Sequence, residues 1–308
     1  MSIVVVGSIA YDTIETQYGK AVDVLGGSTS YFALAARFFS PVSIVGVVGT
    51  DFRADDMRLF TERNVDVRGL EQRAGGLTMR WHGRYHEDMN RRDTVGLALN
   101  VFSDFAPDLL PDQRRADYLF LGNIAPELQS RVLAQVQSPK VVAADTMDHW
   151  IETERPALMR LLKGVNILTL NDSEARMLSG EHNLVRAGRA ILKMGPETVL
   201  VKRGEYGVLQ FSSGAMFAVP AYPLEEVIDP SGAGDTFAGG FMGFLARHGR
   251  VDEPILRTAV VYGSVLASFV VERFSLERLV TLTWEEIDHR FRAFIELTDS
   301  QYTRWNSR

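Results

Sequence analysis

An α/β protein wound on a mostly parallel sheet is what this sequence predicts. Two observations carry that: short β-branched apolar runs recur along the chain, and most are followed by a stretch of helical length. Ile3 to Val6 is a continuous apolar run ending at Gly7, as a strand buried on both faces requires. "STSYFALAARFF" follows at helical length, with Ser28 or Thr29 suited to cap it. "VSIVGVVG", Val42 to Gly49, repeats the strand pattern and completes a βαβ unit. The alternation continues as "ADYLFLG" then "APELQSRVLAQV", "KVVAADT" then "RPALMRLLKG", "VNILTLN" then "DSEARMLSG", and "ETVLVKRG". Such pairs with short connections give a doubly wound sheet.

Two places break the alternation. From Leu77 to Val101, two strand-like arms flank the polar turn "HEDMNRRD", which reads as a hairpin projecting from the sheet. The segment Thr13 to Val24 is too polar for a crossover helix and is expected to add to the same projection. Further on, "YGVLQFSSGAMFAVP" is a tight hairpin around Ser212 to Gly214. A glycine-bearing helix to about Arg247 and a long apolar helix, "ILRTAVVYGSVLASFVVERF", come after it. With no repeats or linker-like segments, one domain over residues 1–308 is expected, with lid strands inserted at about 13–24 and 77–101.

Of the 308 residues 46% are hydrophobic and 23% charged, an ordinary globular composition. A formal charge of −6 offers no general attraction to nucleic acid or acidic lipid. The absence of cysteine excludes disulfides and thiolate chemistry. "MSIVVVGSIAYD" lacks a basic lead, and its apolar run is too short for a signal peptide. No uninterrupted apolar run reaches the roughly 18 residues of a membrane span. A cytoplasmic protein without nucleic-acid or membrane partners is expected.

The chemistry concentrates in "VIDPSGAGDTFAGGF", Val227 to Phe241. Asp229-Pro230 fits a turn. Gly232 and Gly234 let the backbone turn sharply so that its N–H groups converge, and the following helix start adds partial positive charge. Such a site holds an anion. Gly239, Gly240 and Gly243 each cost the helix roughly 1 kcal/mol relative to alanine, so something must approach it closely. Asp235 has two readings at this point: a favoured helix cap, or a carboxylate that accepts a proton from a nucleophile attacking the anion.

"DPSGAGDTFAGGF" resembles the C-terminal signature of the ribokinase and phosphofructokinase-B (PfkB) family of carbohydrate kinases. "LGGSTSYFALAARF" resembles its N-terminal signature, and "LTLNDSEARMLSG" is similar to its N-x-x-E element. The three occur in the family's order and, with the expected lid insertion, span Gly7 to about Phe274. The resemblance implies a ribokinase-like three-layer α/β/α sandwich with a mostly parallel central sheet and a small β lid. It implies ATP-dependent phosphorylation of an alcohol on a small sugar or sugar-like substrate. Asp235 then stands at the catalytic base, and Ser231, Gly232, Ala233 and Gly234 match the anion hole. Asn171 and Glu174 match the element that positions Mg²⁺ and the phosphates, through water. Lys202 and Gly204 fall near the nucleotide phosphates. Asp12 matches the aspartate that grips substrate hydroxyls, and Gly26 and Gly27 match the pair that lets substrate approach the backbone. Asp229 is a candidate for a monovalent-cation site, K⁺ in some relatives, and relatives often form a homodimer through their lids.

Two positions depart from the family pattern. Tyr31 and Ala10 stand where many relatives carry asparagine, so the substrate pocket loses two polar anchors and gains an aromatic ring. That leaves room for another sugar, an inositol-like polyol, or a nucleoside whose base stacks on an aromatic side chain. Asn123 and Asp145, at strand ends where doubly wound folds bind ligands, are candidates for substrate or metal-water contact or are turn residues satisfying their own backbone. Trp81, His82, Arg84, Tyr85 and His86 either touch substrate or stabilise the hairpin. Gly263 or Ala267 either clears an adenine site or packs the core. A nucleoside kinase is the alternative function, and a non-catalytic sugar-binding regulator a further one, disfavoured because a sensor needs no base.

Overall fold

The computed structural model describes residues 1–299. Its strands are β1 (Ile3–Val6), β2 (Ala10–Thr16), β3 (Gly19–Gly26), β4 (Val42–Val48), β5 (Val65–Gln72), β6 (Met79–Tyr85), β7 (Arg92–Ala98), β8 (Tyr118–Leu121), β9 (Val141–Asp145), β10 (Ile167–Asn171), β11 (Thr198–Lys202), β12 (Val208–Ser212) and β13 (Ala215–Val219). Nine of them form one sheet in the order β13-β12-β11-β10-β9-β8-β1-β4-β5, and β3-β2-β6-β7 form a second. All neighbours from β11 across to β5 pair in parallel, and the β12–β13 hairpin closes the other edge antiparallel. Chain order reverses between β1 and β8, the switch point beside which doubly wound folds open a ligand crevice.

Helices cover both faces, as the apolar strands require. On one face lie Ser28–Ala36, Ala233–His248, Glu253–Val270 and Trp284–Thr298, packed in a core with Phe32, Phe120, Phe241 and Phe269. Helices Pro126–Leu133, Arg155–Leu161, Asp172–Ser179 and Leu184–Leu192 cover the other, over Leu119, Leu168 and Ile191. The expected α/β/α sandwich with a mostly parallel sheet is therefore present. Glu253–Val270, long and apolar enough by length and composition alone to cross a membrane, is 61% buried.

Two helix starts differ from the sequence reading. Helix Ser28–Ala36 is preceded by Gly27, with φ 87°, so neither Ser28 nor Thr29 caps it. Ser28 instead exchanges hydrogen bonds with Ser8, each backbone N–H donating to the other residue's hydroxyl at 3.2–3.3 Å. Helix Ala233–His248 follows Gly232, and Asp235 sits within its first turn rather than at the cap.

The second sheet stands on a buried anchor. Thr78 is fully buried; its N–H and hydroxyl donate to Asp51 at 2.7 and 2.8 Å, and Arg80 reaches the other Asp51 oxygen at 2.8 Å. At the far end of the β6–β7 hairpin, the Tyr85 hydroxyl accepts a bond from the Ser231 hydroxyl at 3.2 Å. Asn90, in the hairpin turn, lies against Gly204. The hairpin thus bridges from its anchor to the glycine turn.

Candidate active site

The site collects at the carboxyl ends of the parallel strands. Asp145, Asn171 and Lys202 are the last residues of β9, β10 and β11, brought side by side by the register Asn171 to Lys202. Facing them is the turn Asp229–Gly232 and the first turn of helix Ala233–His248. Gly232 has φ 69°, and a Cβ there would stand 2.3 Å from the Tyr31 ring, so both backbone and space demand glycine. Ala233 N–H donates to Pro230 O and Thr236 N–H to Gly232 O. The N–H groups of Gly232 and Gly234 have no backbone acceptor among the described residues, while that of Asp235 bonds its own carboxylate. Free amides converging at a helix start, with no side chain in front, make a cradle for phosphate oxygens.

Lys202 completes the cradle. Its ammonium lies 3.3–3.4 Å from both oxygens of Asp145 and 2.9 Å from where a Cβ on Gly234 would stand. Burial acts to lower its pKa, but Asp145, Glu174 and Asp235 outweigh it, so the lysine stays charged. Asp235 is half-buried, and no other side chain among the described residues hydrogen-bonds its carboxylate. Burial, with help from Asp145, pushes it up to about 7 against the opposing charges of Lys202 and Arg92. A carboxylate poised near neutrality, bonded only by its own amide, is suited to accept a proton.

Asn171 and Glu174 form a capping box. The Asn171 side chain accepts the Glu174 N–H at 2.8 Å, and Glu174 Oε2 accepts the Asn171 N–H at 2.7 Å. Glu174 is 8% exposed, and burial and Asp145 raise its pKa to about 7. Among the described residues no cluster of three or more His, Cys, Asp or Glu side chains could hold a metal ion. The donors present, Asp145 and the uncommitted oxygen of Glu174, fit a magnesium ion that arrives with phosphates and keeps its waters.

On the other side of the glycine turn lies Asp12, 5% exposed, its pKa raised to about 7 first by burial, then by Asp229, against the Gly27 amide. A Cβ on Gly26 would stand 1.9 Å from the Asp12 carboxylate, and one on Gly27 2.5 Å from Ser8 O. A side chain at either position would collide with the protein's own Asp12 or Ser8, so both must be glycine. Tyr31 also differs from expectation. It is 2% exposed, and its ring is pressed against Gly232, so the face expected to stack on a base is covered. Its hydroxyl is buried without a partner among the described residues.

Asp229 is fully buried, and its two oxygens accept the N–H groups of Ser231 and Ser275, each at 2.8 Å. It holds the glycine turn to a distant loop, with one further lone pair on each oxygen. Asn123 accepts from the Trp150 indole at 2.9 Å. Gly204 stands beyond β11, under the hairpin turn. Of the hairpin candidates, only Tyr85 reaches the glycine turn: His82 and Arg84 bond Glu15, Trp81 bonds Thr94, and His86 pairs with Asp93. Gly263 packs on Phe237, which favours its core reading. The sequence reading passed over Arg92, whose charge acts on Tyr85, Glu174 and Asp235; in a turn rich in arginine nothing singles it out.

Comparison with known proteins gives the family. The chain is 29% identical over 260 residues to a cytidine kinase of Thermococcus kodakarensis, covering 82% of this chain and 91% of that protein. The nucleoside kinase structure from Methanocaldococcus jannaschii superposes with a TM-score of 0.76 at 19% identity, over 95% of this chain and 98% of the other. A putative ribokinase II from E. coli, in complex with ATP and Mg, gives a TM-score of 0.78 at 21% identity, over 95% and 99%. Residues 1–280 match the pfkB family of carbohydrate kinases, and the chain belongs to that family.

Proposed function

We propose that this protein transfers the γ-phosphoryl group of ATP to a hydroxyl of a small sugar or sugar-like substrate. The observation that carries the reading is the pairing of free helix-start amides and Lys202 with an uncommitted Asp235 at one turn. The acceptor hydroxyl sits between Asp12 and Asp235. Its oxygen forms a bond to the γ-phosphorus as the bond from that phosphorus to the bridging oxygen breaks, and ADP leaves with that electron pair. The hydroxyl proton passes to Asp235, late, because a carboxylate is far less basic than an alkoxide. Positioning and electrostatic stabilisation do most of the work in such a transfer. Gly232 and Gly234 present amides to the phosphoryl oxygens, Ala233, whose N–H is bonded to Pro230 O, shapes the turn between them, and Ser231 holds the turn to Tyr85. Magnesium, when bound with the nucleotide, would neutralise phosphate charge, and Asp145, Asn171 and Glu174 are the residues that would hold it and its waters.

The β2, β3, β6 and β7 sheet acts as a lid that keeps water from the phosphoryl group. Its outer strand exposes Val95 and Leu97, through which two copies of the chain would pair. A K⁺ site at Asp229 would use the lone pairs its carboxylate keeps beside the Ser231 and Ser275 amides, together with backbone carbonyls. A cytoplasmic setting, where ATP and Mg²⁺ are at hand, suits this chemistry.

A nucleoside acceptor is the second reading, favoured by the extent of the likeness to the cytidine kinase. With Tyr31 covered, a base would have to be received by the lid side of the pocket rather than by that ring. ADP release measured against pentoses, hexoses, polyols and nucleosides, with Asp235→Asn as the blank, tests both readings. Turnover above the blank on a ribonucleoside but no free sugar selects the second, and none on any compound overturns the kinase reading.

A further inference from the structure

The β6–β7 hairpin carries four arginines, and three are committed. Arg80 pairs with Asp51 and Asp23, Arg84 with Glu15, and Arg91 with Asp88. Arg92 has no ion pair or hydrogen bond from its side chain among the described residues; its guanidinium stands 5.9 Å from the centre of the Trp81 ring. Its direction follows from the sheet. Arg92 is directly opposite Tyr85 in the antiparallel β6–β7 pair, and opposed residues project from the same face. Tyr85 projects onto Ser231 of the glycine turn, so Arg92 projects toward the turn as well. The contact of Asn90 with Gly204 fixes the hairpin's end over β11, whose last residue is Lys202.

Resting on the kinase reading above, we propose that Arg92 is a catalytic residue delivered by the lid, a second cation that grips the transferring phosphoryl group from the side opposite Lys202 and the helix amides. An unpaired guanidinium held over an anion cradle has planar, forked donors matched to phosphate oxygens. Its charge already bears on Glu174 and Asp235, whose carboxylates it favours in ionised form, so it lies within electrostatic reach of both flanks of the cradle. Placing it on the lid makes full stabilisation of the phosphoryl group conditional on closure, which disfavours hydrolysis in the open state.

The test compares full-length wild type with Arg92→Ala, Arg92→Lys and Arg91→Ala. Steady-state rates use the acceptor found in the panel, and calorimetric titration uses Mg²⁺ with ADP or with the non-hydrolysable analogue AMP-PNP. Arg92→Ala is expected to lower kcat by about 10²-fold with the acceptor KM changed by less than about threefold. It should weaken AMP-PNP by about tenfold while leaving ADP unchanged, because only the analogue carries the γ-group. Lysine should restore part of the rate, and Arg91→Ala should match wild type. A kcat for Arg92→Ala within about twofold of wild type, or equal weakening of ADP and AMP-PNP, overturns the proposal. Those results come with an active wild type and leave the kinase reading standing. A wild type that neither turns over nor binds AMP-PNP removes both.

Discussion

Asp235 sits in a buried set with Asp12 and Glu174, each raised to about 7, chiefly by burial. In the unfolded chain Asp235 titrates near 3.8, so between that value and about 7 the folded state holds more protons and stability falls as pH rises. Asp235→Asn is therefore expected to raise the apo melting temperature by a few degrees at pH above about 7, with the gain vanishing toward pH 4. The same change should lower turnover by about 10²- to 10⁴-fold. Thermal scans at the two pH values, paired with rate measurements, check both; a variant that melts lower at high pH, or keeps its rate, contradicts the placement. Because the base must be ionised, kcat/KM should climb as pH rises through about 7 and then level, with an acid limb that belongs to the coupled set. A flat profile across that range would remove the base. Most of these residues could be read from the chain, because the glycine turn and N-x-x-E spacing are local. What Tyr31 does could not: its neighbour Gly232 lies two hundred positions away, and only folding reveals that the ring is a floor under the turn.

Helix Ala233–His248 answers why so much glycine enters an apolar segment. Gly239 meets Phe32 O of helix Ser28–Ala36, and Gly240 meets Tyr262 O and Gly263 of helix Glu253–Val270. The helix is held between two others at backbone distance, which fixes its first turn. Gly239→Ala gains about 1 kcal/mol of helix propensity but sets a Cβ 2.4 Å from Phe32 O, and such overpacking costs about 1–3 kcal/mol. The clash with backbone should win, seen as a lower denaturation midpoint; a rise would show that the helices separate easily. The apolar strands β1, β4 and β8 to β11 are legible because burial on both faces leaves few polar positions, most of them at the strand ends. Strand β5 was not, since "VDVRGLEQ" at the sheet edge alternates weakly and carries charge. The lid strands expected at about 13–24 are two, Ala10–Thr16 and Gly19–Gly26, and the boundary between them shows only in their pairing.

Across the whole molecule, the small sheet is joined to the large one at both ends of its hairpin: by Asp51, Thr78 and Arg80 at the root, and by Tyr85 and Asn90 at the tip. The root bonds are buried and multiple, while the tip holds by one hydrogen bond of 3.2 Å between hydroxyls and a single side-chain contact. Opening should therefore occur at the tip while the root stays intact. Tyr85→Phe deletes the hydroxyl that Ser231 reaches and is expected to raise ATP hydrolysis relative to acceptor phosphorylation, measured as ADP formed per acceptor consumed. A ratio unchanged from wild type would show that the tip bond does not govern closure.

On the proposed function the tip would rest between the two ligands, with Tyr85 toward the acceptor and Asn90 toward the nucleotide. Both products would then exit through the same doorway, which the tip contacts hold shut. If that swing is the slow event, saturated turnover should drop in proportion to the viscosity of the solvent when sucrose is added, whereas a rate indifferent to viscosity would put the slow event at the bond exchange itself.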